Sequence, residues 1–207
     1  MKKSHIRFDT LIGPFLIRPI MQADSPIIRD IILETLLEYG ATGGGFASSD
    51  RDTQEMYDAF QREGRKYFVV EREDKEREDR EEREEREGVR TLADSRGQAM
   101  ACPGIVVGGA GFAPLPGEPG TCELVKMYFR PEIRGLGLGK TLLELCLAEA
   151  GKMGYKQIYL ETIECMHSAR GLYEHLGFKQ IPNQMGNTGH YSCDVFYLRS
   201  LLPDFFF

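Results

Sequence analysis

Hydrophobic residues in the N-terminal half of the chain recur at the spacings of short strands and amphipathic helices. Apolar side chains in the segment 27–36 recur every three to four residues, which predicts a helix that ends near Gly40. Asp24 precedes this helix as a capping residue, and Pro26 suits its first turn. The next segment, 52–63, predicts a second helix. Apolar runs beside these helices predict strands at Phe15–Ile20, Tyr67–Val70 and Ile105–Phe112.

The C-terminal half carries two further helical patterns. Leucines from Leu142 onward share one face of a helix that begins near Lys140 and ends at Gly151. A second apolar face covers residues 169–176, and this helix closes at Gly177. Glycine readily adopts the left-handed conformation that often caps a helix, so both ends are well defined.

Strand patterns lie before, between and after these helices, at Glu123–Phe129, Gln157–Thr162, Phe178–Ile181 and Tyr191–Leu198. The last two flank the turn Gly186–Gly189. Because most connections are short enough for neighbouring strands to run in opposite directions, we expect a mixed α/β fold, a mostly antiparallel sheet flanked by helices. The pattern predicts one domain over residues 1–207.

Composition narrows the function classes. No stretch approaches about 18 uninterrupted apolar residues, so we expect no membrane span, and the start of the chain lacks the apolar core of a signal peptide. The five cysteines form no Cys-x-x-Cys pair, and their odd number suits a reducing, cytoplasmic location. The net charge of −6 argues against nucleic acid as a partner.

One segment carries nearly all of the excess negative charge. Glu71–Glu87 is an unbroken run of 17 charged residues, 11 acidic and 6 basic. It has no apolar face with which to pack on a core, so we interpret it as a solvated helix or loop. With the residues that follow, it forms a charged, low-complexity insertion at about 71–100 that projects from the domain. The functional alternative is a docking segment for a basic partner.

A glycine-rich segment, Arg134–Thr141, follows the central strand and opens the next helix. Glycines let the backbone approach a phosphate, and the N–H groups and dipole of a helix N-terminus attract its charge. The spacing fails both the Walker A and the Rossmann templates by one residue. The segment therefore predicts a phosphate-bearing ligand of another kind.

The spacing that fits is Arg-x-x-Gly-x-Gly at Arg134, Gly137 and Gly139. It resembles motif A of the GNAT superfamily of N-acetyltransferases. A second segment, 169–178, resembles the A-x-x-L-Y-x-x-x-G-F signature of that family. The resemblance covers roughly residues 104–200. It implies a GNAT-type acyl-CoA N-acyltransferase fold and direct transfer of the acetyl group of acetyl-CoA to a primary amine, on a small molecule or a protein. Family members often dimerise, so a homodimer is also a hypothesis.

The resemblance also assigns cofactor contacts. Backbone groups of Met127, Tyr128 and Phe129 would pair with the pantetheine arm, in a gap where this strand and the next one diverge. Main-chain N–H groups would hold the pyrophosphate, aided by the side chains of Arg134 and Lys140; these amides belong to Gly135, Leu136, Gly137, Leu138, Gly139 and Lys140. His167 stands about where family members often carry an asparagine, and it is a further candidate.

Candidate catalytic residues follow from the same signatures. Tyr173 stands where family members place a tyrosine near the sulfur of CoA, and it is the candidate general acid. The base is open between Glu123 and Glu161, since a carboxylate among apolar residues has a raised pKa and accepts a proton near neutrality. A chain of waters without one essential base remains an alternative, and His190 is another candidate base or substrate contact. No complementary Cys/His set predicts a metal.

Three functions of different classes stay open from the sequence. The leading hypothesis is the acetyl-CoA-dependent N-acetyltransferase, with an acceptor that the sequence does not identify. The second is a non-catalytic acyl-CoA-binding regulatory protein of the same fold. The third is a protein-interaction module in which the charged insertion carries the function.

Overall fold

The computed structural model describes residues 5–73 and 104–202. Eight strands lie in these ranges: β1 Ile6–Thr10, β2 Gly13–Pro19, β3 Lys66–Arg72, β4 Ile105–Pro114, β5 Thr121–Phe129, β6 Gln157–Thr162, β7 Lys179–Ile181 and β8 Val195–Ser200. They form one sheet in the order β1-β2-β3-β4-β5-β6-β8-β7. Every pairing is antiparallel except that of β5 with β6.

Helices cover both faces of this sheet: α1 Ser25–Glu38, α2 Arg51–Gln54, α3 Met56–Phe60, α4 Leu138–Lys152 and α5 His167–His175. Alternation along β3 separates two cores, since Phe68 and Val70 pack with α4 while Tyr67 and Val69 pack with α1 and α3. Among the described residues, no helix is long and apolar enough to cross a membrane. The predicted fold, a mostly antiparallel sheet flanked by helices, is confirmed.

The parallel strands β5 and β6 stay paired over only three residues. Thr121 lies opposite Gln157, and the last pair joins Glu123 to Tyr159. β5 continues to Phe129 without a partner strand on this side among the described residues. The two strands therefore diverge, as the resemblance implies, and leave a gap in the middle of the sheet.

A β-bulge bends β5 beside this gap. Gly111 of β4 pairs with Val125, and Gly109 pairs with Tyr128. Two residues of β5, Lys126 and Met127, therefore lie opposite a single residue of β4. Lys126 has a φ of 55°, the one positive φ outside glycine in the described ranges. The buried Tyr67 hydroxyl donates to the carbonyl oxygen of Lys126 over 2.9 Å, and this bond holds the peptide group of the bulge in place.

The structure corrects several predicted elements. The predicted helix 52–63 is two short helices, α2 and α3, because the backbone leaves the helical conformation at Glu55. The last strand is β8 rather than Tyr191–Leu198, since residues 191–194 form a turn that hydrogen-bonds to neighbouring loops. The sequence analysis does not predict strand β1. This strand has five residues, and only alternate ones are partly buried.

Strands β3 and β4 pair antiparallel on the two sides of the charged insertion, as the sequence predicts for a hairpin that carries an excursion. The insertion itself, from 74 to 103, lies outside the described residues. The expectation that the whole charged run is solvated is wrong for its first residue. Glu71 is the sixth residue of β3, and it is buried.

Glu71 belongs to a buried ionic network at the base of the insertion. The guanidinium of Arg18 donates to Glu71 over 2.6 Å and to both carboxylate oxygens of Asp24 over 2.7 and 3.0 Å. The other Glu71 oxygen accepts the N–H of Gly104, so the network ties both ends of the insertion to β2 and to the start of α1. All three charged side chains are at most 8% exposed.

We expect Arg18→Met to lower the free energy of unfolding by about 3–5 kcal/mol, because it leaves two buried carboxylates without their cation. Urea unfolding at pH 7 measures the loss. Arg29→Met is the matched control: its pair with Asp30 is exposed, so its loss should be about 0–1 kcal/mol. Equal losses in the two variants would show that the buried network contributes nothing specific.

Candidate active site

The glycine-rich loop after β5 presents a row of unpaired amides. Gly135 and Gly137 have φ values of 81° and 82°, which glycine alone adopts readily. Helix α4 begins at Leu138, and the first helical bond runs from Thr141 N–H to Gly137. Within the described ranges, the N–H groups of residues 135–140 donate to no protein acceptor. Such a loop at a helix N-terminus is suited to bind an anion.

A cavity opens between this loop and the end of β5, and we call it the loop cavity. Among its lining residues are six of the candidate cofactor contacts: Met127, Tyr128, Phe129, Arg134, Gly135 and Gly139. The side chain of Leu138 packs in the core, and Lys140 is exposed at the helix start. His167 is also exposed and does not line the cavity, whereas its neighbours Ser168 and Ala169 do.

Arg134 stands at the mouth of the loop cavity with its side chain already engaged. Its guanidinium forms a fork with both carboxylate oxygens of Glu38, at 2.6 and 2.8 Å, and Nε donates to the carbonyl of Phe129 over 3.0 Å. The hydrogen bonds from Arg134 lower the pKa of Glu38. A ligand phosphate that recruited this arginine would therefore compete with Glu38.

A second cavity fills the space where β5 and β6 diverge, and we call it the gap cavity. It shares five lining residues with the loop cavity: Met127, Tyr128, Met166, Ala169 and Tyr173. Farther from the loop its lining becomes carboxylic and basic, with Glu123, Glu161, Lys126 and His190. One passage thus runs from the amide-rich loop to a cluster of titratable side chains.

Tyr173 lies where the two cavities meet. Its ring packs on Phe178 and Tyr197, with centroid distances of 5.9 and 6.0 Å. Its hydroxyl makes no hydrogen bond to another described residue, yet it is not sealed from the cavities. Burial raises the pKa of the Tyr173 phenol, so the group stays protonated at neutral pH. A protonated phenol therefore lines both cavities.

The two candidate bases lie on neighbouring strands but have different surroundings. Glu161 accepts hydrogen bonds from the hydroxyls of Tyr159 and Thr188, each at 2.9 Å, and from the amide of Gln184 at 3.1 Å. Burial nevertheless raises the pKa of Glu161. Glu123 has one close polar partner among the described residues, Nδ1 of His190 at 3.6 Å. Of the two, Glu123 has the carboxylate with open hydrogen-bonding capacity.

Asp50 and Lys126 complete the cluster, and neither was singled out from the sequence. Nε2 of His190 lies 3.1 Å from each carboxylate oxygen of Asp50, and the ammonium of Lys126 pairs with the same carboxylate. Burial opposes the charge on His190, but bonds and charges from Asp50 and Glu123 outweigh it and raise its pKa to about 10. His190 is therefore a cation at neutral pH and a poor base.

The sequence contains a signal for Lys126 but not for Asp50. Lys126 interrupts the apolar run of β5, and a charged residue within a central strand needs a partner or a functional reason. Asp50 sits in a polar loop before a short helix, where an aspartate is ordinary. In the described ranges, no group of three His, Cys, Asp or Glu side chains could hold a metal ion.

We expect Asp50→Asn to destabilise the fold at neutral pH, and to do so less in acid. Burial opposes ionisation, but His190 and Lys126 still lower the pKa of Asp50 from 3.8 to about 2. The carboxylate thus contributes about 2 kcal/mol above pH 4, which is lost as the pH falls toward 2. Urea unfolding at pH 7, 5 and 3 should show the difference from the natural protein narrowing. A difference independent of pH would contradict this ionic role.

Comparison with known proteins places this geometry in a family. The family model described as the acetyltransferase (GNAT) family matches residues 49–178. An uncharacterised N-acetyltransferase of Escherichia coli K12, YjgM, is 38% identical over 188 residues, which cover 90% of this chain and 95% of the relative.

Solved structures agree on the fold. A GNAT-family acetyltransferase from Staphylococcus aureus Mu50 superposes with a TM-score of 0.65 at 18% identity, covering 91% of this chain and 99% of the other. The yncA protein of Salmonella typhimurium, solved with its cofactor acetyl-CoA, gives a TM-score of 0.60 at 23% identity, covering 90% and 94%. The predicted GNAT-type fold is therefore confirmed, and the chain belongs to the GNAT family of acetyltransferases.

Proposed function

We propose that the protein transfers the acetyl group of acetyl-CoA directly to a primary amine of an acceptor that is not identified. One observation carries the proposal: Tyr173, whose hydroxyl makes no hydrogen bond to another described residue, lines both the loop cavity and the gap cavity. An anion-binding loop lies at one end of this passage, and carboxylates lie at the other. A donor with a diphosphate and an acceptor with an amine would thus meet beside a proton donor.

Acetyl-CoA fits the passage by its chemistry. The unpaired amides of residues 135–140 suit its diphosphate, and Arg134 can add a planar fork of donors if Glu38 releases it. The unpaired edge of β5 at Met127–Phe129 suits the amides of the pantetheine arm. The related fold of yncA, which holds acetyl-CoA, supports the same cosubstrate here.

The reaction needs a neutral amine and a protonated leaving group. Glu123 accepts the proton of the incoming ammonium, directly or through water, and the amine nitrogen then attacks the thioester carbonyl carbon. As the C–N bond forms and the C–S bond breaks, the Tyr173 hydroxyl gives its proton to the departing sulfur. The nitrogen loses its second proton, which returns through water to the Tyr173 phenolate, and Glu123 releases the first proton to solvent. The products are an amide and free CoA.

Glu123 is the better candidate base of the two carboxylates. Three side chains already donate to Glu161, and each of these bonds stabilises its charged form and restrains its position. Among the described residues Glu123 has no such set of donors, and it borders both the gap cavity and a third cavity beyond the cluster. We therefore assign proton acceptance to Glu123, and to Glu161 the placement of the loop that carries Gln184 and Thr188.

Thiol release from acetyl-CoA, measured against a panel of amines, tests the activity. We expect at least one class among alkylamines, amino acids, aminoglycosides and lysine peptides to accelerate release about tenfold or more over background. Binding of CoA with no stimulation by any amine would favour the non-catalytic acyl-CoA-binding protein instead. A calorimetric titration without heat of CoA binding would overturn the cosubstrate itself.

Replacing the proposed acid should separate chemistry from binding. We expect Tyr173→Phe to lower kcat about 100-fold, because the leaving thiolate loses its proton donor, with little change in the Kd for CoA. Tyr155→Phe is the matched control, since its hydroxyl donates to the carbonyl of Gly64 away from both cavities. If the two variants lost activity equally, Tyr173 would be a packing residue rather than an acid.

A further inference from the structure

His190 is the one side chain that contacts all three carboxylates of the cluster. Nε2 lies 3.1 Å from both oxygens of Asp50, while Nδ1 lies 3.6 Å from Glu123 and 4.0 Å from Glu161. A neutral imidazole has one N–H, so its other nitrogen would turn a lone pair toward a carboxylate. Only the imidazolium presents a proton to the carboxylates on both sides.

The backbone of His190 is fixed by its own loop. Its N–H donates to the Thr188 hydroxyl over 3.1 Å, and its carbonyl accepts the N–H of Cys193 over 3.1 Å. Two residues on, the Ser192 hydroxyl donates to the carbonyl of Gly44 over 2.9 Å. Thr188 of the same loop also donates to Glu161 of β6, so the loop that carries the ring is attached to the sheet. These bonds fix the backbone that carries the ring, and the two contacts of Nε2 with Asp50 hold the ring itself.

Other groups around the ring set its electrostatic surroundings. Lys126 shares Asp50 with His190, so it is the second cation facing three carboxylates. The Cys193 thiol and the Tyr128 phenol stay neutral, because burial raises the pKa of each. A third cavity, the side cavity, opens beyond the cluster, and its lining adds Arg51, Asp52 and Arg65. Arg65 is paired with Asp52 at 2.5 Å, so the charges of this pair largely cancel.

We propose that His190 is a positioning residue, a fixed cation held by Asp50 that aims Glu123 into the gap cavity and keeps it ionised beside Glu161. Without a cation between them, two carboxylates on adjacent strands would share a proton. His190 then accepts no proton in the reaction. That its charge serves acetyl transfer rests on the proposed function, whereas the fixed charge itself does not.

Histidine titration by NMR in the full-length protein, without ligand, tests the fixed charge independently of any acceptor. His190→Gln assigns the signal, and exposed His175 provides the reference. We expect the His190 ring to stay doubly protonated to at least pH 9, and so to lose its proton at a much higher pH than the reference ring. Asp50→Asn should lower the midpoint of His190 by one pH unit or more. A His190 midpoint near that of His175 in the natural protein would overturn the proposal.

The pH dependence of kcat/KM tests the effect on the base, with the amine that gives the fastest thiol release. Because His190→Gln removes the positive charge beside Glu123, the acidic limb should move to higher pH. The deficit against the natural protein should then be larger at pH 6 than at pH 9, with unchanged CoA binding. A deficit equal at both pH values would overturn the positioning role. His175→Gln should show no deficit.

If no amine in the panel is acetylated, the NMR titration still decides whether His190 is a fixed cation. If the ring is doubly protonated but the protein is inactive, the proposed activity is wrong and the fixed charge of His190 is supported. If the protein is an active transferase but the ring titrates normally, the activity is supported and the fixed charge is wrong. The variants need only fold as the natural protein does, which circular dichroism checks, and the titration of the natural protein needs no variant beyond the assignment.

Discussion

The early divergence of β5 and β6 is the constraint from which the rest of the site follows. The two parallel strands separate after Glu123 and Tyr159, so the remaining edge of β5 has no partner strand among the described residues. Buried N–H and C=O groups without partners are costly, and a fold keeps them only where water or a ligand satisfies them. An extended ligand with its own amides, such as a pantetheine arm, would complete the sheet. A backbone defect in a β-sheet thereby becomes a binding site.

The bulge at Lys126 lies beside this gap. A positive φ at a residue with a side chain costs about 1–2 kcal/mol, and such strain persists only where surrounding contacts enforce it. Here the Tyr67 hydroxyl holds the Lys126 carbonyl, and Asp50 holds its ammonium. The bulge lies in the stretch of β5 that has no pairing with β6. The strained residue thus lies beside the gap, where its side chain is one cation of the polar cluster.

Local sequence patterns predicted the parts of this molecule that depend on neighbouring residues. The strands and helices of the confirmed fold follow from spacing within short segments, and the glycine-rich loop and Tyr173 stand in short motifs, where the family resemblance singles out Tyr173. The cluster of Asp50, Lys126 and His190 does not follow from such patterns, because Lys126 and His190 lie 76 and 140 residues from Asp50 and only the tertiary fold brings them together. The buried position of Glu71 was hidden for a related reason. Its partner Arg18 lies on the preceding strand, 53 residues earlier, so within the charged run Glu71 resembles a solvated residue.

The charged groups differ between the loop end and the carboxylate end of the two cavities. Unpaired amides, a helix N-terminus and Arg134 make the loop end attractive to a polyanion. Glu123 and Glu161 make the opposite end attractive to an ammonium, with His190 and Lys126 keeping three carboxylates from repelling one another. An anionic acyl donor that entered from the carboxylate end would meet like charge at the reacting centre. Under the proposed transfer, this asymmetry would favour one direction of approach for each substrate, with Tyr173 lining both cavities between them.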